Sequence, residues 1–175
     1  DTKMNPNDTK MYPNDIKIHP NDKYALILLK SVIESKKIFD SKDESAQAFT
    51  AEEMEFIACS FKSQLQEDRK AIKNVDILLN KSKFEMKKQL MEQYRAGLRQ
   101  QLISHADRQL KVIQDDCIEV VASSIPHIFF LKLQADIYRY MTEVSSSQEA
   151  QDYKDKCEAK YDEANQYYRI LSDDR

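Results

Sequence analysis

"FFLKLQADIYRYMTEV", residues 129–144, is an apolar run that nonetheless holds Lys132, Asp136, Arg139 and Glu143, with Tyr138 and Tyr140 on either side of the arginine. Wound as a helix at roughly 100° per residue, it brings Asp136, Arg139 and Glu143 within roughly 40° of Lys132. Phe130, Leu133, Ile137, Met141 and Val144 gather on another side. One helix therefore presents a packing face and, beside it, a narrow stripe of alternating charge. Such a stripe is either a solvated surface or the lining of a site.

The helical periodicity extends in both directions. Upstream, Tyr94, Leu98, Leu102, Ala106, Leu110, Ile113 and Cys117 recur at spacings of three and four. That spacing predicts the longest helix of the chain, with a sustained packing seam, ended by "SSIP" at 123–126. Before it, Met54, Ile57, Phe61, Leu65, Ile72, Val75 and Leu79 mark another helix, which Thr50 and Glu53 open as a capping box. Downstream, "SSSQ" at 145–148 precedes a last helix carrying Tyr153, Cys157, Tyr161, Ala164 and Tyr168. A first helix, capped by Asp22, begins near Lys23 and runs through "YALILLKSVIES". The four prolines lie outside the long periodic segments, and the connections are short. The fold class these features predict is all-α, an antiparallel helical bundle of about five helices.

Residues 1–22 differ from the rest. "KMNPND", "KMYPND" and "KIHPND" place Pro6, Pro13 and Pro20 at heptad spacing, each followed by Asn-Asp. A proline every seven residues forbids a continuous helix, because each removes an amide donor and clashes with the preceding turn. The expectation is a mobile, low-complexity proline-repeat arm over 1–22 and a helical domain over 23–175.

Composition removes several function classes. Gly97 is the one glycine in 175 residues. Walker loops and dinucleotide-binding turns need several glycines to bring backbone amides to a phosphate, so no nucleotide cofactor of those types fits. A net charge of −3 argues against a general nucleic-acid partner. The absence of a membrane-length apolar run or a secretory signal leads to the expectation of a cytoplasmic protein with no membrane partner. Cys59, Cys117 and Cys157 form no close pair and sit in apolar helical patterns, as reduced packing residues do. His105 and His127 lie on separate helices, with no i,i+4 histidine and no Cys-x-x-Cys, so no metal site is expected. Cys117 follows Asp115 and Asp116, a poor setting for a thiolate, and no catalytic residue is expected. Tyr161, Tyr167 and Tyr168 could form an aromatic platform, although tyrosines at helical spacing more often pack.

One constellation remains. In "FKSQLQEDRK", Lys62 and Arg69 are seven residues apart, as are Lys132 and Arg139. Side by side, two such helices put three or four cations around one point. That cluster suits a doubly charged phosphate, with guanidinium groups offering paired donors and a tyrosine hydroxyl a neutral one. Asp136 and Glu143 would hold the cations when the anion is absent. Lysine and arginine at this spacing are common on solvated helices, so spacing alone does not decide the matter.

"FFLKLQADIYRYMTEV" also resembles the fifth-helix signature of the 14-3-3 family, a tyrosine-rich Leu-Lys-x-x-x-Asp-x-Tyr-Arg-Tyr-x-x-Glu run. "KKQLMEQYR" at 87–95 is similar to the family's fourth helix and lies at the matching distance from Lys132. "KSV" at 30–32 and "TAEE" at 50–53 fit the second helix and the start of the third. The resemblance, over residues 23–171, implies a non-catalytic signalling adaptor that binds phosphoserine or phosphothreonine segments of other proteins. Lys62, Arg69, Arg139 and Tyr140 fall on the family's phosphate-binding positions, and Lys132 on the lysine that flanks them.

The departures are as specific. The family's later helices supply an asparagine and a wall of leucines to the groove. The sequence stops at "RILSDDR" ahead of them, so the expectation is a domain truncated at its C-terminal side, with the basic half of the groove. The proline repeat replaces the family's first helix, and the loop at 35–48 is longer than usual. At the family's dimer contact, Gly97 stands where a lysine is expected and Gln101 where a glutamate is, opposite Tyr24 and Asn21. A family dimer that is weakened or rearranged is expected. The alternative is a structural helical interaction module with a vestigial phosphate site.

Overall fold

The computed structural model describes residues 30–34, 49–81, 83, 85–118 and 125–173. The arm at 1–22, the start of the first helix and the loop at 35–48 lie outside the described residues. Residues 30–34 are helical, as expected for the first helix, and bury Ile33. Four long helices follow: α1 (Ala51–Lys81), α2 (Glu85–Val112), α3 (Ile125–Val144) and α4 (Ser147–Asp173). No strand occurs among the described residues. A π-helical turn, Ile113–Ile118, continues α2, and the joined rod of 28 and 6 residues exceeds the 31 of α1.

The start of α1 is set by local chemistry. The Thr50 amide donates to Glu53 Oε2 at 2.8 Å, and the Glu53 amide donates to Thr50 Oγ1 at 3.2 Å. Two amides that the helix itself cannot satisfy are thereby paired. Phe49, just before the cap, is buried and meets Phe130 edge-on at 5.0 Å, which ties the helix start to the core. Thr50→Ala is expected to cost about 1 kcal/mol, the usual worth of an N-cap. A urea midpoint that does not move would place the whole anchor on Phe49. Ser146 and Glu149 cap α4 in a related way, with Ser146 N and Oγ both donating to Glu149 Oε2.

Partner numbering gives the helix directions. Between α1 and α2, Gln64 meets Gln109, Asp68 meets His105 and Asp76 meets Arg95, one number rising as the other falls. Between α3 and α4, His127 meets Tyr167, Asp136 meets Tyr161 and Tyr138 meets Tyr153. Both hairpins are antiparallel. Between α1 and α3 the rule reverses: Lys62 meets Asp136 and Arg69 meets Glu143, each pair 74 residues apart, so these helices are parallel. The core lies between them, with Ile57, Leu65, Leu102, Ile113, Phe130, Ile137 and Met141 fully enclosed.

All five apolar residues assigned to the packing face of α3 are buried. Two seams depart from expectation at their ends. Tyr94 is 61% exposed, in line with exposed Met86 and Leu90, because α3 ends beside Ser104 and the first turns of α2 extend past it. Tyr168, near the end of α4, is likewise exposed. Cys117 and Cys157 are buried as expected, but Cys59 is exposed on α1.

Candidate functional site

The parallel register of α1 and α3 builds a two-rung ladder. Lys62 Nζ donates to Asp136 Oδ2 at 2.6 Å, and Arg69 Nε donates to Glu143 Oε2 at 2.8 Å. A second nitrogen of Arg69 bonds the same Glu143 oxygen. Seven residues separate the rungs on each helix, roughly 10.5 Å of helical rise. Arg139 stands between them, 3.7 Å from Asp136 Oδ1 and 3.6 Å from Glu143 Oε1. Beneath lies Tyr140, only 5% exposed, with the Arg69 guanidinium 4.4 Å and the Arg139 guanidinium 4.7 Å from its ring centroid. Both cations gain from the negative face of that ring, which fixes them near one another despite their repulsion.

α4 supplies a further support. The Tyr161 hydroxyl donates to Asp136 Oδ1 at 2.7 Å, so one carboxylate holds Lys62 through one oxygen and Tyr161 through the other. Burial alone would raise the Asp136 pKa. The hydrogen bonds from Lys62 and Tyr161 and the charges of Lys62 and Arg139 outweigh burial and hold it below the ordinary carboxylate value. Burial, then the bond to Asp136 and its charge, push Tyr161 up to about 12. Partial burial works against the charge on Arg139, but Tyr140, Asp136 and Tyr161 outweigh it and keep the guanidinium above its usual value. Burial pushes the nearby Cys157 thiol up, which keeps it protonated.

A carboxylate whose folded pKa is depressed stabilises the fold above its unfolded value and loses that contribution as pH falls through the folded one. Asp136→Asn is therefore expected to lower stability by about 1–3 kcal/mol near neutral pH. The gap to the parent should close as pH drops below the ordinary 3.8. Urea midpoints measured from about pH 7 to pH 2.5 test this, and a gap that stays constant would refute it.

Of the five residues singled out by sequence, the structure brings together Lys62, Arg69, Arg139 and Tyr140. Lys132 is not among them: it is exposed, one turn before Asp136 on α3. Asp136 and Glu143 hold Lys62 and Arg69, the role the sequence reading gives these carboxylates when no anion is bound. In this register each α1 cation faces a carboxylate of α3. Tyr161, Tyr167 and Tyr168 form no platform. Tyr161 bonds Asp136, Tyr167 lies against His127 with ring centroids 4.5 Å apart, and Tyr168 is exposed.

Two arrangements escaped the sequence reading. One is the support from Tyr161, four residues after Cys157 on the inner face of α4. The other is buried Asp68, bonded by His105 Nδ1 at 2.7 Å and by Gln101 Nε2 at 3.0 Å. Its only sequence signal was an acidic residue within one turn of the Leu65–Ile72 seam. Among the described residues, no group of three or more His, Cys, Asp or Glu side chains could hold a metal ion. None of the described helices is long and apolar enough to cross a membrane.

Residues 30–172 match the family model described as 14-3-3 protein, and the chain belongs to the 14-3-3 family. It is 31% identical over 78 residues to 14-3-3 protein 3 of Entamoeba histolytica, covering 45% of this chain and 32% of that protein. To 14-3-3 protein 2 of the same organism it is 27% identical over 124 residues, covering 69% of this chain and 52% of that protein. To 14-3-3-like protein 1 of Caenorhabditis elegans it is 27% identical over 108 residues, covering 61% and 44%. The alignments thus span between about a third and a half of the length of these relatives.

Proposed function

We propose that this protein is a non-catalytic, cytoplasmic adaptor that binds phosphoserine- or phosphothreonine-containing segments of other proteins and acts in signalling. The observation that supports this reading is the ladder: three cations and Tyr140 converge on one accessible face, with two carboxylates between them. A phosphate dianion entering the face takes over Arg69, Arg139 and Lys62 from Glu143 and Asp136, and the Tyr140 hydroxyl adds a neutral donor. Charge-assisted bonds of this type are stronger than neutral ones, and the two guanidinium groups match the oxygens in pairs.

Titration of a labelled phosphoserine peptide against its dephosphorylated twin, read by fluorescence anisotropy, tests the reading. Binding of the phosphorylated form alone, falling steeply with added salt, is expected. Equal binding of both forms would favour a structural helical module with a vestigial site. The observation behind that second reading is that Asp136 and Glu143 already neutralise much of the cluster.

The family dimer would be weakened or rearranged in this chain. An added Cβ at Gly97 meets nothing within 4 Å, and the Gln101 amide is engaged by Asp68, so neither residue offers the charge expected at that contact. Sedimentation at micromolar concentration is expected to show monomer or a salt-insensitive alternative pairing. A tight dimer involving residues 90–101 would show otherwise.

A further inference from the structure

On the other side of α3, a cleft of about 510 Å³ opens between α2 and the α3–α4 turn. Its α2 wall carries Arg99, Ser104, Asp107 and Arg108, and the facing wall carries Ser145, Ser146, Glu149 and Tyr153, with Ile103 and Val144 at its apolar part. The volume lies in the range of small-molecule sites.

The cleft's cations are in a different state from those of the ladder. Lys62, Arg69 and Arg139 all have carboxylate partners. Arg99 and Arg108 form no ion pair among the described residues, although Asp107 and Glu149 line the same cleft. Glu149 is committed to Ser146, whose amide and hydroxyl both donate to it and lower its pKa. Asp107 lies close enough to Tyr138 and Tyr153 for its charge to act on both phenols, behind burial as the main cause of their raised values. Among the described residues, Arg108 Nε donates only to the Ser104 carbonyl of its own helix, at 3.3 Å. Arg99 Nε is enclosed and has no hydrogen-bond acceptor among the described residues.

We propose that this cleft binds a small organic anion, a carboxylate or phosphate group joined to a planar ring. The oxyanion accepts from the terminal N–H groups of the Arg99 guanidinium, with Arg108 as the second cation. The ring lies against Tyr153, whose own ring is stacked on Tyr138 with centroids 6.5 Å apart and an interplanar angle of 23°. Ile103 and Val144 cover the remaining apolar surface. Bare phosphate would satisfy the charge and leave the ring wall empty, so a ring-bearing anion binds better than the inorganic one. The site is separate from the ladder and does not depend on what the ladder binds.

The test follows the arginine Nε–H signals of the full 175-residue chain by NMR while benzoate, phenyl phosphate or inorganic phosphate is added. Either ring-bearing anion is expected to shift the Arg99 signal together with the Ser145, Ser146 and Tyr153 amides, at least threefold more tightly than inorganic phosphate. Benzoate and phenyl phosphate together show whether the acid group is carboxylate or phosphate. Arg99→Gln should weaken this binding about tenfold or more, and Arg108→Gln should weaken it severalfold. Arg69→Gln, on the ladder, should leave it unchanged. The proposal is overturned if millimolar ring-bearing anion shifts only ladder residues, or if inorganic phosphate binds as well as either ring-bearing anion. It is also overturned if both cleft variants, folded by their amide spectra, bind as the parent does.

Discussion

Phe130→Ala is expected to remove about 3–5 kcal/mol of folding stability, the range for truncating a fully enclosed phenylalanine. Phe130 is 0% exposed. Its ring takes Phe49 edge-on at 5.0 Å and Phe129 at 5.6 Å, interplanar angles 75° and 88°. Phe49 precedes the cap of α1, so the same ring that fills the core of α3 also holds the start of α1. Truncation leaves a cavity between parallel helices whose charged rungs fix their separation, which limits collapse into the void. Because whole domains have only about 5–15 kcal/mol of net stability, the loss is a large fraction of the total. Urea denaturation followed by circular dichroism measures it, and a loss below about 1.5 kcal/mol would mean that the site relaxes freely. Phe130→Leu should recover part of the loss, since it restores most of the buried volume.

The packing face of α3 was legible in the sequence because one helix suffices to define it. The spacing of Phe130, Leu133, Ile137, Met141 and Val144 fixes their common side whatever the neighbours do. The cap at Thr50 was legible for the same reason, as its bonds close within four residues. The register of α1 against α3 shows where such reading stops. Two helices with cations seven residues apart can slide past each other by a turn without changing either pattern. The register is settled between them, where opposite charges attract and like charges repel, and it places Asp136 opposite Lys62 and Glu143 opposite Arg69. Tyr161 and Asp68 were missed on similar grounds, since the partners that give them a role lie 25 and 37 residues away on other helices. The exposure of Tyr94 depends on where α3 ends, which the α2 seam does not record.

Arg139→Ala is expected to weaken phosphopeptide binding by about 1.5–3 kcal/mol, the worth of hydrogen bonds to a charged group. That is roughly 10- to 150-fold in Kd, since each 1.4 kcal/mol is a factor of ten. Arg139 is the cation between the rungs, 48% exposed, and touches both carboxylates only at 3.6–3.7 Å. It is therefore the guanidinium freest to turn toward an incoming anion. Arg69→Ala should cost a similar amount, for the added reason that it leaves Glu143 facing the anion without its own partner. Lysine at either position should not restore full affinity, because a point charge cannot offer paired donors in the plane of the phosphate. Glu143→Gln should act in the opposite direction and tighten binding a few fold, since the anion no longer competes for Arg69. Stability should move by less than about 1 kcal/mol in the Arg139 variant, as partly exposed ion pairs contribute little to folding. Anisotropy titrations paired with urea midpoints separate the two effects. Unchanged phosphopeptide affinity in both arginine variants would remove phosphate from this face altogether. So would an equal loss for the dephosphorylated peptide, since the arginines would then be holding peptide rather than its phosphate.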